Sequence, residues 1–287
     1  MIAVNNILIS QSTFPDGTLA FKSDEIRILT NQLEAKQPAV ASIAWKFENN
    51  SELFTVRCLK RYLDDIGVLK VSLYMPYIPN ARMDRTEEVG DIFTLKYFCE
   101  EINSLNFDFV FVLDPHSNVA PALLDRCIVK SAEGHIKEAI NYIKNEFKIE
   151  DLVLVYPDST AVKRYSKKFD NNYIQGIKSR SWNDGKIDNL TLVGDLENIK
   201  DKDVLIVDDI CCRGGTFMKS AKELKELGAR KIFLYVSHCE NTIFSGEILE
   251  SDLIDTVFTT DSIFSGENDK ILISSIFKQI EDMVEGK

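Results

Sequence analysis

The stretch Val204-Leu205-Ile206-Val207-Asp208-Asp209-Ile210-Cys211-Cys212-Arg213-Gly214-Gly215-Thr216 decides how this chain reads. Unbroken aliphatic residues, Val204–Val207, have the character of a strand buried on both faces. They run into two acids and a glycine pair, after which Phe217, Ala221, Leu224 and Leu227 recur at helical spacing and Gly228 offers a stop. In parallel sheets, ligands gather at the carboxyl ends of strands. Glycines let a backbone approach closely, and the N–H groups opening the next helix attract phosphate. Thr216 adds a hydroxyl donor. Asp208 and Asp209 do not suit phosphate, but they suit sugar hydroxyls or a magnesium ion held through water. A plain strand-to-helix turn would account for Gly-Gly-Thr. It would not account for consecutive acids ending an apolar strand, which are costly unless a ligand uses them.

Working outward, Val40–Trp45, Val71–Met75, Phe109–Leu113, Leu152–Tyr156 and Lys231–Ser237 read as further buried strands. Between them, Val56, Leu59, Leu63 and Ile66 lie on one helical face, stopped at Gly67, and Ile136, Ile140, Ile143 and Phe147 on another. This alternation predicts an α/β fold of mainly parallel sheets flanked by helices. A strand-like Cys127–Val129 gives way to a new helix near Lys130-Ser131, which suggests domains at 1–130 and 131–270. The stretch 271–287 reads as a C-terminal helix able to pack on either domain, and Gly176–Lys186, polar and poor in apolar anchors, as a mobile loop.

The 287 residues, 45% hydrophobic and 28% charged, can fill two cores, the usual outcome at this length. A net charge of -11 with no basic patch argues against nucleic acid as a partner, and it requires that any anionic ligand find local compensation. No targeting segment or membrane-length apolar run is visible, so a cytoplasmic protein with no membrane partner is expected. None of the six cysteines is spaced as C-x-x-C, which points to reduced thiols rather than a zinc site.

The Val-Asp-Asp-Ile-x-x-x-Gly-Gly-Thr segment resembles the phosphoribosyl-binding loop of type I phosphoribosyltransferases and ribose-phosphate diphosphokinases. Other motifs favour the second family. Pro76-Tyr77-Ile78-Pro79-Asn80-Ala81-Arg82-Met83-Asp84-Arg85 resembles its Pro-Tyr-x-x-x-Ala-Arg-Gln-Asp-Arg. Phe14-Pro15-Asp16-Gly17, Asp114-Pro115-His116, Tyr156-Pro157-Asp158, Lys178-Ser179-Arg180 and Ile243-Phe244-Ser245-Gly246 also resemble its motifs, in its order.

The resemblance implies two phosphoribosyltransferase-like domains, ATP on the first and ribose phosphate on the second. It implies transfer of the β,γ-diphosphoryl group of ATP to the anomeric hydroxyl of ribose 5-phosphate, with Mg2+. Lys178 and Arg180 would be catalytic, closing over the transferring phosphates, and His116 and Asp158 would serve the metal. Asp158 could equally cap the following helix. Phe14, Asp16, Thr18, Arg82, Met83 and Asp84 would form the ATP side, with Phe14 and Asp16 coming from a neighbouring subunit of a homo-oligomer. Asp208, Asp209, Cys212, Arg213, Gly214, Gly215 and Thr216 would bind the ribose phosphate.

The chain departs from the family at Cys212-Arg213, where Asp-Thr is usual, at Met83 in place of Gln and at Thr18 in place of Glu. Arg213 adds a bidentate cation where the 5-phosphate sits. That admits a larger 5′-ester such as ADP-ribose as acceptor, beside ribose 5-phosphate itself. A phosphoribosyltransferase, a non-catalytic synthetase-associated subunit and a nucleotide-binding module are the competing readings. The first would consume PRPP and a base without ATP, and the second should lack the cations Lys178 and Arg180.

Overall fold

The buried runs become strands because each can hide apolar side chains on both faces at once. The computed structural model describes the chain except at 36–38, 170–172, 181–186 and 279–287; at 178–180 and 187–190 it describes the backbone alone. The chain forms two compact units, Met1–Ser131 joined by the residues from Ser275 onward, and Ala132–Ser274.

In the first unit, β1 (Ile2–Val4), β2 (Ile7–Leu8), the hairpin β3 (Gln11–Thr13) and β4 (Leu19–Phe21), and helix α1 (Ser23–Ala35) lead into β5 (Val40–Trp45). There follow α2 (Glu52–Asp65), β6 (Lys70–Tyr74), α3 (Thr94–Ser104), β7 (Val110–Leu113), α4 (Val119–Leu123) and β8 (Cys127–Lys130). The sheet order is β2-β1-β5-β6-β7-β8, parallel from β5 to β8, with β1 antiparallel to β5. Ile43, Trp45, Leu73 and Val112 share a core with Leu29 and Leu33 of α1, Val56 and Leu59 of α2 and Leu95 and Ile102 of α3. The buried Glu52 accepts the Trp45 indole N–H at 2.9 Å.

In the second unit, α5 (Glu133–Phe147), β9 (Leu152–Tyr156), α6 (Ser159–Tyr165), β10 (Tyr173–Arg180) and β11 (Ile187–Val193) precede β12 (Asp203–Cys211). Then come α7 (Gly215–Glu226), β13 (Ile232–Cys239), β14 (Thr256–Thr260) and β15 (Ile271–Ser274). The order is β11-β10-β9-β12-β13-β14-β15, with β11 antiparallel to β10 and the other pairs parallel. Val204 and Ile206 face α7 through Phe217, Ala221 and Leu224. Leu205 and Val207 face α5 through Ile136, Ala139 and Ile143. All four strand residues are fully buried (0%). Burial of each contributes about 1.5–3 kcal/mol, which is why this run anchors the sheet.

Three expectations need correction. The acids do not sit beyond the strand: β12 runs on to Cys211, because Ile210 and Cys211 still pair with His238 and Cys239 at the end of β13. Gly176–Arg180 is not a loop but the second half of β10, paired from Lys178↔Leu190 to Arg180↔Ile187 with a bulge at Ser179/Arg180. The rest of that expected loop, 181–186, lies outside the described residues. Finally, 271–287 is not one helix. Ile271–Ser274 is the edge strand β15, since its aliphatic run finds a parallel partner in β14. Helical backbone begins at Ile276, and Ile276 and Phe277 pack with Tyr74, Phe111 and Leu113 of the first unit.

Candidate functional site

On the second unit, the carboxyl end of β12 carries Asp208 and Asp209 into the turn Cys212–Gly214, and α7 begins at Gly215. Gly214 caps this helix at φ 80°, the left-handed region, and its carbonyl accepts the Met218 N–H at 3.0 Å. A Cβ there would lie 2.0 Å from Ile248 Cδ1, so both conformation and packing require glycine. Gly215 differs. It is exposed, its φ is not positive, and a Cβ would meet nothing within 4 Å. The helix it opens has no acid in its first turn, so its leading N–H groups suit an anion. Cys212 and Thr216 are half-buried, and Arg213 is exposed. The short helical turn Asn241–Ser245 buttresses the loop: a Cβ on Gly246 would lie 2.0 Å from the Arg213 carbonyl oxygen.

Asp209 is buried, and its Oδ2 lies 3.1 Å from Nη1 of Arg164 on α6. The Asp209 backbone N–H donates to Asp208 Oδ1 at 2.9 Å. Burial, then the neighbouring charges of Asp209 and Asp158, push the Asp208 carboxyl well above the usual carboxylate range. Asp158 is the N-cap of α6, its Oδ1 accepting the backbone N–H groups of Thr160 and Ala161 at 3.0 Å each. Gly176 lets β10 run hard against this point, since a Cβ there would lie 2.6 Å from the Pro157 carbonyl oxygen. Lys178 and Arg180 follow on the same strand, at positions alternate with Gly176; their side chains lie outside the described ones.

On the first unit, the segment after β6 carries Arg82 and Met83, both exposed, and Asp84, half-buried. Met83 N–H bonds the Asn80 carbonyl, and its own carbonyl accepts the Leu95 N–H. The neighbouring β7 is followed directly by Asp114, which is buried with φ 39°, and then by a half-buried His116. Both segments leave the carboxyl ends of adjacent parallel strands, where ligand sites form. Phe14 and Asp16 sit at the tip of the β3–β4 hairpin, where Phe14 is 57% exposed. Asp16 Oδ1 accepts the Thr18 N–H and hydroxyl at 3.0 and 2.7 Å, bonds that lower its pKa. A cavity of about 640 Å³ at the amino ends of β5 and β6, lined by Asn5, Ser42, Lys70 and Ser72 among others, includes none of the candidate residues.

Sequence reading gave no role to Arg164, Gly176 or Ile248. The glycine of Ile243-Phe244-Ser245-Gly246 was the one signal for the buttress, and its purpose required the fold.

The mainly parallel sheet with an acid pair, a glycine turn and a helix start has the phosphoribosyltransferase type of fold, and the phosphoribosyl transferase domain model matches residues 129–266. The chain is 26% identical over 237 residues to the ribose-phosphate pyrophosphokinase of Pyrococcus abyssi, covering 82% of this chain and 77% of that one. With the enzyme of that name from Haemophilus influenzae it shares 27% identity over 265 residues, 90% and 82% of the two chains. The crystal structure of phosphoribosylpyrophosphate synthetase from Mycobacterium smegmatis superimposes with a TM-score of 0.75 at 18% identity, covering 98% and 90%. Along most of its length the chain is thus similar to ribose-phosphate pyrophosphokinases, which are diphosphotransferases.

Proposed function

We propose that the protein transfers the β,γ-diphosphoryl group of magnesium-bound ATP to the anomeric hydroxyl of a ribose 5-phosphate moiety. The observation that carries this reading is the exposed Gly215 opening α7, where a Cβ would meet nothing within 4 Å, in the turn that follows Asp208 and Asp209. The 5-phosphate would lie against the helix start, and Asp208 would accept hydrogen bonds from the ribose hydroxyls. The anomeric oxygen attacks the β-phosphorus, the bridge to the α-phosphate breaks, AMP leaves, and the hydroxyl proton passes to solvent. Lys178 and Arg180, on the strand seated against Pro157, would offset charge on the transferring group.

The metal belongs to the nucleotide. Among the described residues, no group of three or more His, Cys, Asp and Glu side chains could hold an ion. Magnesium needs only one or two protein donors when substrate phosphates and water supply the rest, and the carboxylate of Asp158 and imidazole of His116 are of that kind. Arg82, Met83, Asp84 and Thr18 would lie on the ATP side, with Phe14 and Asp16 completing the site from a second copy in a homo-oligomer. The solvent-exposed Phe14 at a hairpin tip supports that arrangement.

The acceptor is ribose 5-phosphate or a 5′-ester such as ADP-ribose. Arg213, exposed at the phosphate turn, favours the ester by offering a cation to the additional phosphate. The deciding experiment incubates the protein with ATP and magnesium plus either sugar and identifies products by mass. AMP with a diphosphorylated sugar is expected and names the acceptor; no AMP with either would end the reading. Consumption of PRPP and a base without ATP would instead establish a phosphoribosyltransferase.

A further inference from the structure

Asp158, Asp208 and Asp209 bring three carboxylates to the ends of β9 and β12, and the charges of the other two bear on Asp208. A sugar phosphate bound here adds further negative charge. Arg164 lies on α6, the helix that Asp158 caps, and its Nη1 is 3.1 Å from Asp209 Oδ2 with side-chain exposures of 15% and 9%. The guanidinium carbon also lies 5.7 Å from the Tyr165 ring centroid. Exposed ion pairs contribute little, but removing one partner from a pair this withdrawn from water leaves the other charge uncompensated. Asp209 is tied to Asp208 through its own backbone N–H, so Arg164, Asp209 and Asp208 form one connected series.

We propose that Arg164 is a positioning residue for the acceptor: by holding Asp209 it fixes the acid pair, so that Asp208 is presented to the ribose hydroxyls. This rests on the ribose-phosphate reading of the Asp208–Thr216 loop. Arg164 touches no substrate in this role. Its whole effect runs through Asp209, and a merely structural or a phosphate-binding arginine would behave otherwise.

The test titrates ribose 5-phosphate and, separately, ADP-ribose calorimetrically into wild type, Arg164→Gln, Arg164→Lys, Asp209→Asn and the Arg164→Gln/Asp209→Asn double variant. Arg164→Gln is expected to weaken sugar binding by at least about tenfold and leave the KM for ATP within about twofold, while Arg164→Lys stays within about threefold of wild type. With Asp209→Asn already present, Arg164→Gln should change binding by less than about twofold. A further loss of about tenfold in that background would overturn the proposal, because it would show Arg164 acting without Asp209. If Arg164→Gln does not fold, the comparison of Asp209→Asn with the double variant still decides. If Asp209→Asn binds too weakly to titrate, Arg164→Lys decides, and a loss equal to that of Arg164→Gln overturns the role. Wild type that binds neither sugar would end the ribose-phosphate reading itself. Wild type that binds, and loses binding on Asp208→Asn, would keep that reading whatever becomes of Arg164.

Discussion

Gly214 and Gly215 are neighbours with opposite reasons for being glycine. Gly214 has positive φ and Ile248 against it, whereas Gly215 has neither constraint and faces open space. Gly214→Ala is therefore expected to destabilise the fold by about 1–3 kcal/mol in denaturant titrations. Gly215→Ala should leave stability unchanged or raise it by up to about 1 kcal/mol, helix propensity favouring alanine. The same variant should weaken the sugar phosphate by about tenfold or more, since its methyl fills the space the ligand needs. Asp208 supports a pH prediction. Its pKa is raised in the folded protein, so the folded state binds its proton more tightly than the unfolded chain. Stability is then fully present below the ordinary carboxylate range and declines as pH rises through the raised value. Asp208→Asn should melt above wild type at neutral pH, and the two curves should converge in acid. A constant gap across that range would show that the shift has another origin. Convergence in acid would mark Asp208 as an acid kept for binding at a cost in stability.

The short helix α6 serves two ends with one residue. Asp158 caps it through backbone N–H groups, and the same carboxyl is a candidate for the nucleotide's metal. The two roles separate by substitution. Asp158→Asn keeps a capping oxygen and should melt close to wild type, whereas Asp158→Ala should lose about 1 kcal/mol of stability. Both should lose most turnover with magnesium and ATP, measured as AMP release. Full activity in the Asn variant would leave Asp158 a cap and nothing more. Elements also differ in how openly the sequence declares them. β12 was legible because Val204–Val207 is buried on both faces and each residue announces it. β10 and β11 were not. Tyr173–Arg180 carries Gly176, Lys178 and Arg180 at alternate positions, and it is a strand because β9 and β11 supply its hydrogen bonds. β15 reads as helix in sequence because a four-residue aliphatic run fits either period until a neighbouring strand is known.

At the scale of the whole molecule, the proposed function asks a chain of net charge -11 to bind two anionic substrates. On that proposal the means would be local: a helix start at Gly215, the cation Arg213 at the turn, Arg164 against Asp209, and magnesium arriving with ATP. If the metal is brought by the nucleotide, a chelator should abolish AMP release while leaving the melting temperature of the ligand-free protein unchanged. A fall in melting temperature with chelator alone would point to a resident structural ion. No helix among the described residues is long and apolar enough to cross a membrane.

The sequence by itself determined the alternation of strands and helices, the glycine turn after β12 and the likeness to ribose-phosphate pyrophosphokinases, because burial on both faces and a glycine-rich turn leave marks in a few consecutive residues. Tertiary structure alone decided that Arg164 meets Asp209, that Gly176 and Gly246 admit close backbone contacts, and that Ile271–Ser274 is a strand. Those facts depend on partners tens of residues away, and no local pattern of side chains encodes a distance between two segments.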